Sequence, residues 1–306
     1  MSDIQAVLLA GSTGMLGGRI AHHLLDRPDA AVRLLVRPGG PGDPAKKEAL
    51  RVFEERGATV VDGDVTDPAS LDAATAGVDV VVSALQGGPD TIVDGQVALA
   101  RAAQRNGARR IVPSDFAADL FAAPPGQHPF FDWRRTADEA IAELGIEHVH
   151  VLNGAFLDGF AASLVDHAAR TVTFWGTGDE LIEATTVDDT ARYTARAALD
   201  RGVPSGKFGV VGSRISAAAV AAAAERLTGY RYTRTSLGTV DELRARIADA
   251  HARGAGLEDW IGDVYWLFMV TGVTAVRDPQ NGRYPDITPQ SLDDVVAQTL
   301  HGTHES

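Results

Sequence analysis

The chain has no cysteine, which removes disulfides, thiol nucleophiles and thiolate metal sites together. It also has no long apolar run. No stretch approaches the ~20 residues that a membrane helix needs, and Asp3 and the early glycines break up any signal-peptide core. Positive charge is in deficit. The 28 Lys+Arg against 41 Asp+Glu leave −13, a balance that repels phosphate backbones and anionic lipid heads. Neither nucleic acid nor membrane is therefore an expected partner, and the expected compartment is the cytoplasm. Lysine is scarce, with Lys46, Lys47 and Lys207 the only three. What remains is ordinary: 306 residues, 45% hydrophobic and 23% charged, enough for one large domain or two smaller ones with a full core.

Gln5-Ala6-Val7-Leu8-Leu9-Ala10 is apolar without alternation, and Gly11-Ser12-Thr13-Gly14-Met15-Leu16-Gly17 follows at once, before the helical pattern Ile20, Leu24, Leu25. A fully apolar strand, a glycine turn and an amphipathic helix open a parallel βαβ unit. The pattern repeats: strands at 32–36, 59–61, 78–83 and 110–112, helices at 46–56, 68–74 and 93–106. Such alternation predicts a Rossmann-type, doubly wound parallel α/β sheet. In that setting Gly11 allows the tight turn, Gly14 lets the backbone approach a pyrophosphate, and Gly17 lets the helix pack closely on the strand. The spacing is GxxGxxG. The second strand ends Leu35-Val36-Arg37, with Arg37 where an NAD site would place a carboxylate. A guanidinium there, with Lys46 nearby, suits a 2′-phosphate, so NADP(H) is the expected cofactor.

Beyond the loop, the chain resembles the isoflavone reductase-like (NmrA-like) group of atypical short-chain dehydrogenases/reductases nearly end to end. The segments that carry this are the glycine loop, Leu35-Val36-Arg37, Asp79–Ser83, Arg110-Ile111-Val112-Pro113-Ser114-Asp115-Phe116, Asn153-Gly154-Ala155-Phe156 and Tyr284-Pro285-Asp286. The resemblance implies that Gly11, Thr13, Gly14, Met15, Leu16 and Gly17 wrap the pyrophosphate, and that Arg37 and Lys46 take the 2′-phosphate. It places Ser83, Ala84 and Leu85 under the adenosine and ribose side, and Ser114 and Phe116 along the ribose and nicotinamide. Asn153, Gly154 and Phe156 fall beside the nicotinamide ring. It also implies an NADP(H)-binding domain over residues 1–152 and a smaller substrate-facing domain over 153–306, with about 186–215 packing back on the first.

The chain departs from this family at one position. Reductases of the group carry a catalytic lysine on the helix after the fifth strand, and Arg134 stands in its place. Arginine stays charged in proteins, so it can orient a substrate oxygen or stabilise negative charge but is a poor general acid. The Tyr-x-x-x-Lys pair of ordinary short-chain dehydrogenases is absent too, at Tyr193, Tyr230, Tyr232 and Tyr265 alike. His128, on the loop Pro124–Pro129, is the candidate proton donor expected to overhang the nicotinamide, with Asp132 to orient it or hold a substrate hydroxyl. The plainer reading is a surface histidine beside an N-cap aspartate. His148 and His150 alternate on a strand without a third ligand at useful spacing, and His301 and His304 sit in a polar tail, so no metal site is expected.

In the second half, an aspartate, Asp188 or Asp189, is expected to open a helix, and Ser216–Leu227 reads as a structural helix. Leu257–Val270 reads as an aromatic-rich helix that, with Phe156, Phe160 and Trp175, could wall an apolar pocket. The expected function is therefore an NADPH-dependent reductase of an apolar, aromatic or conjugated small molecule, acting at a C=C, C=O, C=N or benzylic centre. The alternative is a non-catalytic NADP(H)-sensing regulator of the NmrA type. A homodimer is left open.

Overall fold

The computed structural model describes residues 4–300, so His301 and His304 lie outside the described residues. Seven strands form the main sheet. Its first six are β1 (Gln5–Ala10), β2 (Ala30–Val36), β3 (Thr59–Asp62), β4 (Val80–Ser83), β5 (Arg110–Val112) and β6 (Glu147–Leu152). A seventh strand, Gly206–Gly209, pairs parallel to β6 at one edge, and the order across the sheet is Gly206–Gly209, β6, β5, β4, β1, β2, β3. Every pairing in it is parallel.

Helices cover both faces, and the sequence of β1 shows why. Val7 and Leu9 pack with Ile20, Leu24 and Ala191 on one side; Leu8 and Ala10 pack with Val81, Leu99 and Ala103 on the other. Alternate side chains are thus buried on opposite faces, which explains the unbroken apolar run. The first face carries α1 (Met15–Leu25) and α2 (Pro44–Glu55); the second carries α3 (Pro68–Thr75), α4 (Gln96–Arg105) and α5 (Pro129–Ala142). The helix expected from Val93 is preceded by a wider π-helical turn, Asp90–Gly95, where a Cβ on Gly95 would lie 2.9 Å from Val65.

After β6 the chain leaves the sheet through α6 (Leu157–Leu164) and returns with α7 (Val187–Leu199), which packs against α1. Thr186, not an aspartate, caps α7: its hydroxyl accepts the Asp189 N–H at 3.1 Å, and Asp188 and Asp189 fall in the first turn. The remaining helices are α8 (Ala217–Thr228), α9 (Val240–Ala252), α10 (Ile261–Thr271) and α11 (Leu292–Leu300). α6, α8 and α11 share one core with Phe174 and Ile215, and two three-stranded sheets edge it. The expected helix over Leu257–Val270 breaks at Trp260, with a 3₁₀ turn before α10. No described helix is long and apolar enough to cross a membrane.

Arg110 ties the returning helix to the sheet. It is 1% exposed, and its guanidinium donates to the carbonyls of Ala197 (2.8 Å), Asp200 (2.7 Å) and Val203 (2.6 Å) while pairing with Glu147. These carbonyls belong to the end of α7 and the turn after it, groups that a helix end leaves unpaired. Arg110→Met, which keeps the stem and deletes the donors, is expected to lower stability by about 3 kcal/mol in denaturant titration. A midpoint equal to wild type would show that α7 is held by packing alone.

Candidate functional site

Strand order reverses between β1 and β4, and there the two strands part. Ala84 N–H donates to the Ala10 carbonyl at 2.9 Å, just past the end of β4. Such a switch point, beyond the carboxyl ends of the strands, is where doubly wound sheets bind ligands. Gly11 turns there with φ +88°, and a Cβ on it would sit 2.5 Å from the Ala84 carbonyl oxygen. Gly17 is tighter still: a Cβ would lie 2.0 Å from the Gly11 oxygen. No side chain other than hydrogen fits either place. The first turn of α1 is therefore pressed against the end of β1, with Gly14 as N-cap and no side chain on its free N–H groups. Uncapped N–H groups at the positive end of a helix dipole suit a phosphate.

A cleft of about 760 Å³ opens over this turn. Gly11, Thr13, Gly14, Met15 and Leu16 line it on one side, Ala84 and Leu85 beneath, and Ser114, Phe116, Arg134 and Phe156 at the far end. Met15 stands 58% exposed at the lip, an apolar side chain that a bound ligand would cover. Gly17 stands behind the lining. Ser83 and Asn153 are fully buried, with the Ser83 hydroxyl and the Asn153 carboxamide free of hydrogen bonds. Gly154, at φ +69°, packs against the Glu183 carbonyl and also lies outside the lining.

At the opposite end, Arg37 and Lys46 face the cleft, and both are exposed. Neither makes a hydrogen bond or ion pair among the described residues, so both are available to an anion. Sequence reasoning missed the neighbours Asp64 and Thr66. Thr66 donates its N–H (2.9 Å) and hydroxyl (2.8 Å) to Asp64, which holds that carboxyl below its ordinary range, helped by the charge of Arg37. The signal was available: Gly63-Asp64 directly follows β3, and the carboxyl ends of neighbouring strands share one rim.

The three expected catalytic residues separate. Arg134 lines the cleft. Its Nε donates to the Ser114 carbonyl (2.8 Å) and its Nη1 to the Phe130 carbonyl (2.8 Å), leaving Nη2 unengaged. His128 does not line it. The loop Pro124–Pro129 folds inward, so the ring is 0% exposed, stacked on Phe131 at 4.0 Å and edge-on to Tyr265 at 4.3 Å. Its Nδ1 caps α5 by accepting the Phe131 N–H. Burial first, then the Arg134 charge, lowers its pKa to about 4, which leaves no proton to give near neutrality. Neither expectation for this residue, overhanging donor or surface histidine, matches that position. Asp132 likewise points away from the cleft, accepting the Gly126 N–H at 3.1 Å and pairing with Arg135.

The expected aromatic wall also divides. Phe156 and Phe116 line the cleft, whereas Phe160, Trp175 and Trp266 line a separate small crevice. Val264, Leu267 and Phe268 are core, packed with Phe131 and Leu243.

A parallel, doubly wound sheet with an uncapped glycine turn at its switch point defines a dinucleotide-binding class of α/β protein. The sequence pattern of the NmrA-like family matches residues 3–253, and the chain belongs to that family. Pinoresinol reductase 1 of Arabidopsis thaliana is 28% identical, over 96% of each chain. AtPrR2 solved with NADP+ and (+)-pinoresinol shares the fold with a TM-score of 0.84 at 24% identity, covering 97% of this chain and 99% of that one. Leucoanthocyanidin reductase of Vitis vinifera solved with NADPH follows at 0.83 and 20%, covering 97% and 99%.

The placement of His128 makes a prediction with a definite sign. Its folded pKa lies below the unfolded value of 6.5, so the unfolded chain takes up the proton first and stability is lost as pH falls from 6.5 to about 4. His128→Asn keeps an N-cap acceptor without the titration. Across that window the variant should lose about 3 kcal/mol less than wild type in denaturant titrations. Parallel curves would place the ring in contact with water.

Proposed function

We propose that this chain is an NADPH-dependent reductase of apolar, aromatic or conjugated small molecules, delivering hydride to a C=C, C=O, C=N or benzylic centre. One observation carries the reading: a single cleft runs from two unpaired cations, Arg37 and Lys46, past an uncapped helix N-terminus to an aromatic end holding one clamped guanidinium. NADPH, when bound, supplies the hydride. The residues from Gly11 to Leu16 hold the pyrophosphate, with Gly17 letting α1 approach. Arg37 and Lys46 take the 2′-phosphate. Ala84 and Leu85, backed by Ser83, support the adenosine and ribose side. Ser114, Phe116 and Phe156 bound the nicotinamide, with Asn153 and Gly154 behind them. Names and ligands of the relatives, among them pinoresinol reductase 1 and the NADPH complex of leucoanthocyanidin reductase, support the same reading.

Arg134 sets this chain apart from a reductase that uses lysine. Its charge is permanent, and two backbone carbonyls fix its direction. A preoriented cation stabilises negative charge that develops on the acceptor as hydride arrives. Arginine does not give up its proton, so the completing proton comes from another group at the cleft or from water. Phe116 and Phe156 favour a flat apolar acceptor over a sugar or a small acid.

Arg37→Ala is expected to weaken NADPH binding by roughly 10- to 100-fold, the worth of a charge-assisted contact, while NADH binding changes little. Equal losses would remove the 2′-phosphate assignment. Purified protein with NADPH and a panel of aromatic enones, ketones and imines should consume the cofactor with at least one acceptor. Arg134→Gln should then lower kcat by roughly 100-fold with NADPH affinity kept. Tight NADPH binding with no turnover across the panel would instead favour the cofactor-sensing regulator.

A further inference from the structure

Behind Arg134 lies a buried cluster that the reductase reading does not use. Asp115 directly follows Ser114 at the end of β5, Asp138 sits on α5 one turn beyond Arg134, and His150 projects from β6. They are 0%, 4% and 5% exposed. His150 Nδ1 lies 2.8 Å from one Asp115 oxygen and 3.6 Å from an Asp138 oxygen. The other Asp115 oxygen and both Asp138 oxygens are enclosed and receive no N–H or O–H from any neighbour. Three orphaned acceptors gathered in a dry interior demand a positive charge or a proton among them.

The geometry separates the two. A tetrahedral cation with bonds of about 2.0–2.1 Å holds its ligand atoms about 3.3 Å apart. The 2.8 Å contact between His150 and Asp115 is shorter and has the length of a hydrogen bond. The Nδ1–H of His150 donates to one Asp115 oxygen. A second donor is required for the other, and a protonated Asp138 is the group placed to supply it. We propose that Asp138 and Asp115 share one proton, and that the resulting Asp138–Asp115–His150 unit is a positioning device for Arg134.

The groups that face Asp138 agree. Burial and the neighbouring Asp115 charge push its pKa up to about 10, with a further rise from Glu139 and an opposing effect from Arg134. From β6, His148 lies tilted against His150 at 5.2 Å. From the loop after β5, Phe121 packs edge-on to His150 at 4.9 Å, and the Asp119–Lys207 pair touches the Phe121 ring. Arg134 is the cation that opposes the rise.

The consequence follows from register. Arg134 and Asp138 are four residues apart on α5, and their partners Ser114 and Asp115 are adjacent at the end of β5. The two contacts are parallel ties between the same helix and the same strand end. Were Asp138 ionised, two like charges would repel across that seam, and the grip of Arg134 on the Ser114 carbonyl would loosen with it. The effect on turnover rests on the reductase reading; the shared proton does not.

Asp138→Asn tests both, because its amide donates to Asp115 with the same shape and without titrating. Asp138→Ala leaves the second Asp115 oxygen without a donor. In wild type the folded pKa of Asp138 is raised, so stability falls as pH rises from the ordinary 3.8 to about 10. The Asn variant should therefore melt above wild type, by a margin that widens with pH. Its kcat should stay near wild type at neutral pH and hold further into alkali. The Ala variant should lose roughly 10- to 100-fold in kcat with the KM for NADPH unchanged. Three results would overturn the proposal: a melting difference that does not vary with pH, Asn and Ala variants equal in kcat, or a stoichiometric metal in the wild-type protein that Asp138→Asn removes. If wild type reduces no acceptor, the reductase reading fails, while the melting series still decides whether the proton is shared.

Discussion

The approach of α1 to the end of β1 fixes the geometry of everything beyond it. With the Gly11 oxygen 2.0 Å from where a Gly17 Cβ would stand, helix and strand meet at backbone distance, and Gly11 is wedged in turn against Ala84. That contact aims the first N–H groups of α1 into the gap between β1 and β4. It also sets the distance from those N–H groups to Arg37 at the end of β2 and to Ser114 beyond β5. Close packing of this kind transmits position because interiors are nearly incompressible.

From that anchor the cleft acquires two unlike ends. The mouth is polar, open and supplied with unpaired cations; the far end is apolar and holds one cation whose direction is fixed by carbonyls of Ser114 and Phe130. A long ligand with phosphates at one end and a flat ring at the other meets complementary surroundings along its whole length. The second part of the chain contributes less to that cleft than its aromatic content suggests, since α10 spends its apolar face on the core with Phe131 and Leu243. Phe156 is its main contribution to the lining. Arg110, by gathering the carbonyls after α7, holds the returning helix against the sheet that carries the site.

Much of this was legible in the sequence. β5 matches its expected bounds, and the glycine loop and Arg37 reach the cleft, because strand–helix alternation and glycine spacing are local signals that tertiary packing seldom overrides; Arg134, expected from the family resemblance, reaches it too. Interior contacts were less legible. A proline-rich loop reads as surface, yet His128 is drawn inside, stacked on Phe131 and edge-on to Tyr265, a residue far away in sequence. The partnership of His150 with Asp115 and Asp138 joins three elements, so no spacing rule could reveal it. The sequence pointed to an aspartate rather than Thr186 as the cap of α7 because an acidic pair in the first turn resembles a cap when read without φ and ψ.

The central claim is that the two cations at the rim select a phosphorylated dinucleotide. Calorimetric titration of the unaltered protein with NADPH and with NADH, at one salt concentration, tests it most directly. The account predicts one site per chain and a dissociation constant at least roughly tenfold lower for NADPH. Indistinguishable constants, or no heat with either nucleotide, would contradict it.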